Sequence, residues 1–479
     1  MKYHIWTIGC QMNTADSQRL ASELERLGYG WTEQAEDADV VVLNTCVVRQ
    51  QAEDKIYGRL GSLRAVKATR PDMVIGLTGC LVGAKPSPAL ARRFPGVDVL
   101  IPPSETQPLV DFVTARALDR AARSSEAAQL AARWAVQDDA DDADADAAVG
   151  VDGDDPRLGH GRLVLPERER ATLVSAHVPI IFGCNWVCTF CIIPSRRGRE
   201  RSRPPEEVEA HVRSLVDQGV REVTLLGQIV DRYGYDWGVT DGLPRLLERL
   251  DAVDGLERIR FLTGHPAFMT DDLLDTVARL PKVMEHIEVP IQAGDDDVLA
   301  RMKRGYTADD YRRLVERIRR RIPGAAVHTD IIVGFPGETE AQFQATYDIL
   351  AELELDKAHL AKFSARPGTV AAKMMLDDVS EAEKERRRQA LDTLQEGIVG
   401  RINERLVGQT VEVLVEGRDR ERWRGRTRTN KLVYLADPRP LLGRVVDVRI
   451  EWSGPWSMVG HAADAPPPAV RETIALAVG

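Results

Sequence analysis

The sequence predicts an α/β protein in three folded parts: an N-terminal parallel α/β sheet, a partial barrel of six βα units and a small C-terminal β-barrel. Three observations carry this. Residues 1–105 alternate short apolar runs with helix-periodic stretches, and residues 173–397 repeat the pattern with six more strand candidates. Residues 398–462 change to alternating β segments separated by Gly, Pro and Asp.

In the first part, expected over 1–114, YHIWTI, ADVVVLN and DMVIGLT read as buried strands, and each runs into a cysteine: Cys10, Cys46 and Cys80. Between them, ADSQRLASELERLG has a helical apolar period and a stop at Gly28. In a parallel sheet the loops at the carboxyl ends of strands share one edge, where ligands bind. Three cysteines separated by 36 and 34 residues would then converge. The alternative is three buried structural thiols at strand ends.

Residues 115–172 are expected to be a linker. ARALDRAARSSEAAQLAARWA suits a surface helix, and the acidic stretch after it has too few apolar residues to fold. From 173 to 397 the strand candidates are HVPIIF, REVTLL, RIRFL, HIEVPI, AVHTDIIVGF and KAHLAKF. A helix between the first two starts at Pro204–Pro205, carries acids in its first turn and stops at Gly219. Six such strands fit an open barrel, with the loop after the first at the mouth, where barrel active sites sit. TVEVLVEG, RWRGRTRTNKLVYLAD and RVVDVRIEWS build the small barrel of 398–462, and 463–479 reads as a flexible tail.

The net charge of −10 is carried almost wholly by residues 138–155, whose nine Asp and no Lys or Arg contribute −9 and leave −1 for the rest. Nucleic-acid binding is therefore not excluded by overall charge. No run of about 18 apolar residues points to a membrane span, and no signal-peptide pattern opens the chain. A reducing, cytoplasmic setting is expected.

All six cysteines fall into two sets of three. Cys184, Cys188 and Cys191 form a C-x3-C-x2-C loop, GCNWVCTFC, too tight for ordinary disulfides and lacking the fourth ligand of a zinc knuckle. A 4Fe–4S cube usually takes four thiolates. Three leave one iron open, and an open position separates a reactive metal site from a closed one.

Here the sequence resembles the radical SAM enzymes, whose cluster loop has this spacing with an aromatic at the place of Phe190. The resemblance implies a free iron that chelates S-adenosylmethionine and a 5′-deoxyadenosyl radical made by cleaving its sulfonium bond. It extends to the methylthiotransferase family through GCQMN, NTC and TGC, through GCNWVCTFCIIPSRRG and VGFPGE in the radical SAM domain, and through a C-terminal TRAM domain. GCQMN at 9–13, SARPGT at 364–369 and GRTRTNKLV at 425–433 are most similar to the MiaB branch. That branch methylthiolates C2 of N6-isopentenyl-adenosine beside the tRNA anticodon. The resemblance implies two 4Fe–4S clusters, one on Cys184, Cys188 and Cys191 and one on Cys10, Cys46 and Cys80, the second carrying the sulfur. It also implies S-adenosylmethionine, tRNA, a sulfur source and a low-potential electron donor as partners. Alternatives are a methylthiotransferase for threonylcarbamoyl-adenosine or a ribosomal-protein aspartate, or a two-cluster electron carrier with an RNA-binding barrel.

Gln228, Gly334 and Glu338 resemble family positions near S-adenosylmethionine, although Gly–Pro turns are also plain barrel loops. Arg196 and Arg197 after the cluster loop, and Arg424, Arg426, Arg428 and Lys431 around Trp423 and Tyr434, are candidate RNA contacts, with solvated surface charge as the alternative. His265 reads as a structural or pocket-wall residue. The chain departs from the family pattern at Ile229, Gly264, Ala293 and Asp295, which puts cofactor contacts in question more than reaction class.

Overall fold

The computed structural model of the chain describes residues 1–46, 50–123 and 163–464, so the acidic stretch and the tail beyond Asp464 lie outside the described residues. The chain divides into two compact units. The first comprises Met1–Arg168 with Phe182–Cys184 and Ile192–Arg199; the second comprises Glu169–Ile181, Asn185–Cys191 and Glu200 onward.

In the first unit, β1 (Lys2–Ile8), β2 (Gly30–Trp31), β3 (Val40–Thr45), β4 (Val74–Gly79) and β5 (Val99–Ile101) form one sheet in the order β2-β1-β3-β4-β5. Every pairing is parallel. The central strands β3 and β4 are buried along their whole length because both their faces are covered. Alternation sends Val41, Leu43, Ile75 and Leu77 into one core and Val40, Val42 and Val74 into another that includes Leu20 and Leu24. Leu20 and Leu24 belong to the expected first helix, Gln11–Arg26, after which Gly28 takes a positive φ of 84°.

In the second unit, β6 (Ser175–Pro179) is followed by β7 (Ile181–Phe182) and β8 (Arg201–Ser202), which bracket the cysteine loop in sequence. Next come β9 (Glu222–Leu226), β10 (Arg258–Phe261), β11 (His286–Glu288), β12 (Ala326–Val333) and β13 (Lys357–Lys362). The sheets β6-β9-β10 and β11-β12-β13 are parallel throughout and linked by a bridge from Ile259 to Val283. Six strands thus run side by side in chain order, the expected open barrel. Helices between them start at sharp caps; Thr307 with Asp310 and Thr339 with Gln342 are capping boxes.

The chain ends in a closed barrel of β14 (Thr410–Asp419), β15 (Arg422–Thr427), β16 (Leu432–Leu435), β17 (Val445–Ser453) and β18 (Met458–Ala462). Val413, Trp423, Val433, Val448 and Met458 fill it. It is bound to the six-stranded barrel by two arginines of β10. Arg258 donates to the Arg426 carbonyl and to Glu412, both at 2.7 Å. Arg260 donates to the carbonyls of Arg428 (2.7 Å) and Thr427 (2.8 Å), and its Nε meets Glu222 at 3.0 Å. Arg258 and Arg260 are buried. The β15–β16 turn therefore sits against the amino-terminal ends of the barrel strands, opposite the mouth.

Candidate functional site

The three N-terminal cysteines leave three adjacent strands at the same level. Ile8, Thr45 and Gly79 lie in register across β1, β3 and β4. Cys46 and Cys80 come one residue later and Cys10 two later, so the sheet gathers thiols that are 36 and 34 residues apart. Neighbouring strands are about 4.8 Å apart. The motif residues around them build the cradle. Asn13 Nδ2 donates to Asn44 Oδ1 at 2.7 Å, Asn44 Nδ2 returns a bond to the Asn13 carbonyl at 2.8 Å and another to Ser17 Oγ at 2.9 Å, and all three side chains are buried. This ties GCQMN to NTC. Gly79 of TGC has φ +92°, and a Cβ there would come within 2.3 Å of the Thr45 carbonyl. Cys10 is exposed, Cys46 intermediate and Cys80 buried.

Arg197 joins this centre. It was expected as an RNA contact, and that is corrected: it is 3% exposed, its Nη2 is 3.3 Å from Asp16, and its Nη1 donates to Ser104 at 3.1 Å. Its charge also acts on Cys80 and Cys10. Arg196, one residue earlier, is half-buried and packs near Gly83.

The second set lies in the loop between β7 and β8. Cys184 N donates to the Gly198 carbonyl at 3.1 Å. Cys191 N donates to the Cys188 carbonyl at 3.1 Å, and Thr189 is held by the Met302 and Arg301 carbonyls. Phe190 packs on the core of Ala293, Val298, Leu299 and Phe335. Cys188 Sγ accepts from Arg304 Nη1 at 3.2 Å. Among the described residues, no three His, Cys, Asp or Glu side chains close on a single ion. In a cube each thiolate caps its own iron, so its sulfurs need not crowd one atom. An all-sulfur donor set of three plus three suits iron–sulfur clusters.

The barrel mouth around this loop is lined by titratable groups. Asp231, after β9, accepts from His265 N at 2.8 Å, and burial pushes its carboxyl up to about 7. Burial, with the Arg304 and Arg232 charges, pushes His265 down to about 3, so the imidazole is neutral. It is buried among Trp186, Phe268 and Tyr306. Deeper in, burial and the facing Asp330 raise Glu288 to about 7, and burial raises Asp330 to about 6.

Gln228 stands half-buried just beyond β9. Gly334 has φ +72°, and its N–H donates to Glu338 Oε2 at 2.6 Å. The same oxygen accepts from Arg387 at 2.8 Å, so Glu338 braces the turn. Of the departures from family pattern, Ile229 and Ala293 are buried, and Asp295 caps the helix Asp296–Met302 by accepting from Val298 N. A Cβ on Gly264 would stand 2.8 Å from Met269 and 2.9 Å from the Glu288 carbonyl.

On the small barrel, Arg424 and Arg426 share one face of β15, alternating with buried Gly425 and Thr427, and Arg428 lies one residue beyond the strand. Arg424 is exposed and lies opposite Tyr434. Arg428 pairs with Glu285, and Lys431 pairs with Asp356 at 2.8 Å. Trp423 is not a stacking platform: it is buried, with its indole N–H on the Asp437 carbonyl. Among the described residues of this barrel, the exposed indoles are Trp452 and Trp456. The sequence reading missed Arg304, Asp231 and the Asn13–Asn44 lock. The asparagines lay inside quoted motifs, whereas Arg304 stands 116 residues from Cys188 with no spacing signal.

The comparisons with known proteins agree with this geometry. Residues 178–350 match the radical SAM superfamily, residues 2–102 the uncharacterized protein family UPF0004, and residues 404–462 the TRAM domain. A solved radical S-adenosylmethionine methyltransferase, TsrM from Kitasatospora setae, with cobalamin and a [4Fe-4S] cluster bound, shares the fold. Its TM-score is 0.51 at 16% identity, covering 75% of this chain and 71% of that one. Fold and domain matches thus define a radical SAM enzyme with an N-terminal UPF0004 domain and a C-terminal TRAM domain. A tRNA-2-methylthio-N(6)-dimethylallyladenosine synthase of Herpetosiphon aurantiacus is 45% identical, covering 96% of this chain and 97% of that protein. One of Chloroflexus aurantiacus is also 45% identical, covering 96% and 91%. The chain belongs to the tRNA-2-methylthio-N(6)-dimethylallyladenosine synthase family, the MiaB type of tRNA methylthiotransferase. Among the described residues no helix is long and apolar enough to cross a membrane.

Proposed function

We propose that this chain works in the cytoplasm and adds a methylthio group to C2 of N6-isopentenyl-adenosine beside the anticodon of tRNA. The observation that carries this is the second centre: three thiols at aligned ends of β1, β3 and β4, in a chain that also carries a complete C-x3-C-x2-C loop. The C2–H of adenine has no acidic proton near neutral pH, so base catalysis cannot reach it and a radical route is required. When bound, the clusters on Cys184, Cys188 and Cys191 and on Cys10, Cys46 and Cys80 supply S-adenosylmethionine cleavage and the transferred sulfur, respectively.

The chain's own residues do the rest. Phe190 and Gln228, with the Gly334–Glu338 turn, surround the cofactor position, Glu338 by holding the turn. Neutral His265, with Trp186, Phe268 and Tyr306, gives an apolar wall that excludes water from a reactive intermediate. For RNA, the supported contacts are Arg424 and Arg426 on the small barrel, Arg196 after the cluster loop, and the exposed faces of Trp452 and Trp456, which suit base stacking. Arg428 and Lys431 hold the barrels together and contact RNA less directly.

The test is anaerobic reconstitution, iron and sulfide counting, then incubation with reductant, S-adenosylmethionine and isopentenylated tRNA, read by mass spectrometry of the nucleosides. About eight irons, 5′-deoxyadenosine and the 2-methylthio nucleoside are expected. 5′-Deoxyadenosine without that nucleoside would move the substrate to threonylcarbamoyl-adenosine or a ribosomal-protein aspartate.

A further inference from the structure

Arg304 is a long basic side chain enclosed in the barrel, and its guanidinium has four contacts, three of them hydrogen bonds. Nη1 donates to Cys188 Sγ at 3.2 Å, Nε to the Tyr306 hydroxyl at 2.9 Å and Nη2 to the Pro290 carbonyl at 3.3 Å. Tyr306 is itself fixed, its hydroxyl donating to the carbonyls of Pro290 (3.0 Å) and Ile291 (2.8 Å). The fourth is the contact of the guanidinium with the Tyr306 ring, 5.4 Å from its centroid. Arg304 is 6% exposed. Apart from the sulfur its bonding partners are neutral, and no carboxylate among the described residues lies within ion-pairing distance; Asp231 and Asp330 feel the charge from farther away.

We propose that Arg304 is a positioning residue for the radical-generating cluster: it donates an N–H···S hydrogen bond to the Cys188 thiolate, holds a positive charge beside it, and so makes that cluster easier to reduce. Hydrogen bonds to cluster sulfurs and local charge are among the factors that set iron–sulfur potentials. Reduction adds one electron, taken from a low-potential one-electron donor, and places more negative charge on the sulfurs. The bond and the cation both stabilise that state. The N-terminal centre has an arginine of its own, Arg197, which hydrogen-bonds Cys80 and is also ion-paired with Asp16. The sulfur that Arg304 reaches is that of Cys188, so its removal should move the radical-generating cluster. This rests on the radical SAM reading of Cys184, Cys188 and Cys191.

The test uses the full chain reconstituted with both clusters. Iron is counted first; about four irons or fewer in the wild type would count against the two-cluster reading and not against Arg304. The electron paramagnetic resonance signal that responds to added S-adenosylmethionine is then titrated against potential. Arg304→Met should make reduction of that cluster about tenfold less favourable, a fall of about 59 mV for one electron, and leave the other cluster unmoved. An unchanged midpoint, or equal shifts in both clusters, overturns the proposal. Should Arg304→Met fail to load iron, the titration is read on Arg304→Lys, which keeps the charge but not the fork that reaches sulfur and Tyr306 together. A smaller fall confined to the same cluster supports the proposal, and no fall overturns it.

Discussion

Arg428 and Glu285 meet fork to fork: Nε donates to Oε2 and Nη2 to Oε1, each at 2.8 Å. A residue that sequence alone offers as an RNA contact is thereby the hand of the small barrel on the larger one. The Arg428 guanidinium also reaches the Pro281 carbonyl at 3.0 Å, and Lys431 to Asp356 is a second clasp nearby.

These clasps differ in strength by burial. Arg428 and Glu285 are each 29% exposed, so Arg428→Ala should cost about 1 kcal/mol or less. Arg260→Ala leaves the Glu222 carboxylate, itself 3% exposed, without its cation and takes a donor from the Thr427 and Arg428 carbonyls, and should cost about 3–5 kcal/mol. Urea unfolding of the two variants checks the ranking, and equal losses would contradict it.

Asn44→Ala removes the centre of the lock between GCQMN and NTC and leaves Asn13 and Ser17 short of partners. A loss of about 1–3 kcal/mol is expected, with lower iron content at the N-terminal centre. Iron counting and urea titration of the same preparation measure both.

Cys46→Ala should halve the iron, to about four per chain, while 5′-deoxyadenosine is still made and the methylthio nucleoside is not. Loss of S-adenosylmethionine cleavage in Cys46→Ala would show the two centres to be interdependent.

Glu288 and Asp330 give stability a pH slope. Both carboxyls are held above their ordinary values, so the folded state keeps protons that the unfolded chain has already released. Their contribution is full below pH about 4 and is lost as pH rises through about 6 to 7. Glu288→Gln should flatten the fall in unfolding free energy between pH 5 and 8, since an amide does not titrate. Lys357, whose charge favours both carboxylates, stays in place in that variant.

Much of this architecture is legible in the sequence because it is written in local periodicity. Three of the five N-terminal strands, the six barrel strands and the small barrel follow from apolar runs and Gly or Pro stops, whereas the short edge strands β2 and β5 carry too few residues to show a pattern. Convergence of Cys10, Cys46 and Cys80 is also legible, since a parallel sheet fixes which loop ends meet. The partners of the arginines are not. Arg197, Arg304 and Arg428 look alike on the page, yet one faces Asp16, one a cysteine sulfur and one Glu285, at separations of 181, 116 and 143 residues. Only the folded chain decides whether a guanidinium meets solvent, a carboxylate or a thiol. The burial of Trp423 is hidden for the same reason: a strand's alternation says which side chains share a face, not which face is inside.

The hold of Arg258 and Arg260 on Glu412 and on the carbonyls of Arg426, Thr427 and Arg428 makes the last domain something other than a detachable cassette. Cutting the chain before β14 would strip the enclosed Arg258 and Arg260 of their acceptors in the small barrel, leaving Arg260 only Glu222, and open the floor of the larger barrel to water. A shortened enzyme would therefore be damaged in its foundations as well as in its grip on RNA, and the last domain grafted elsewhere would carry a turn shaped for a floor it no longer has.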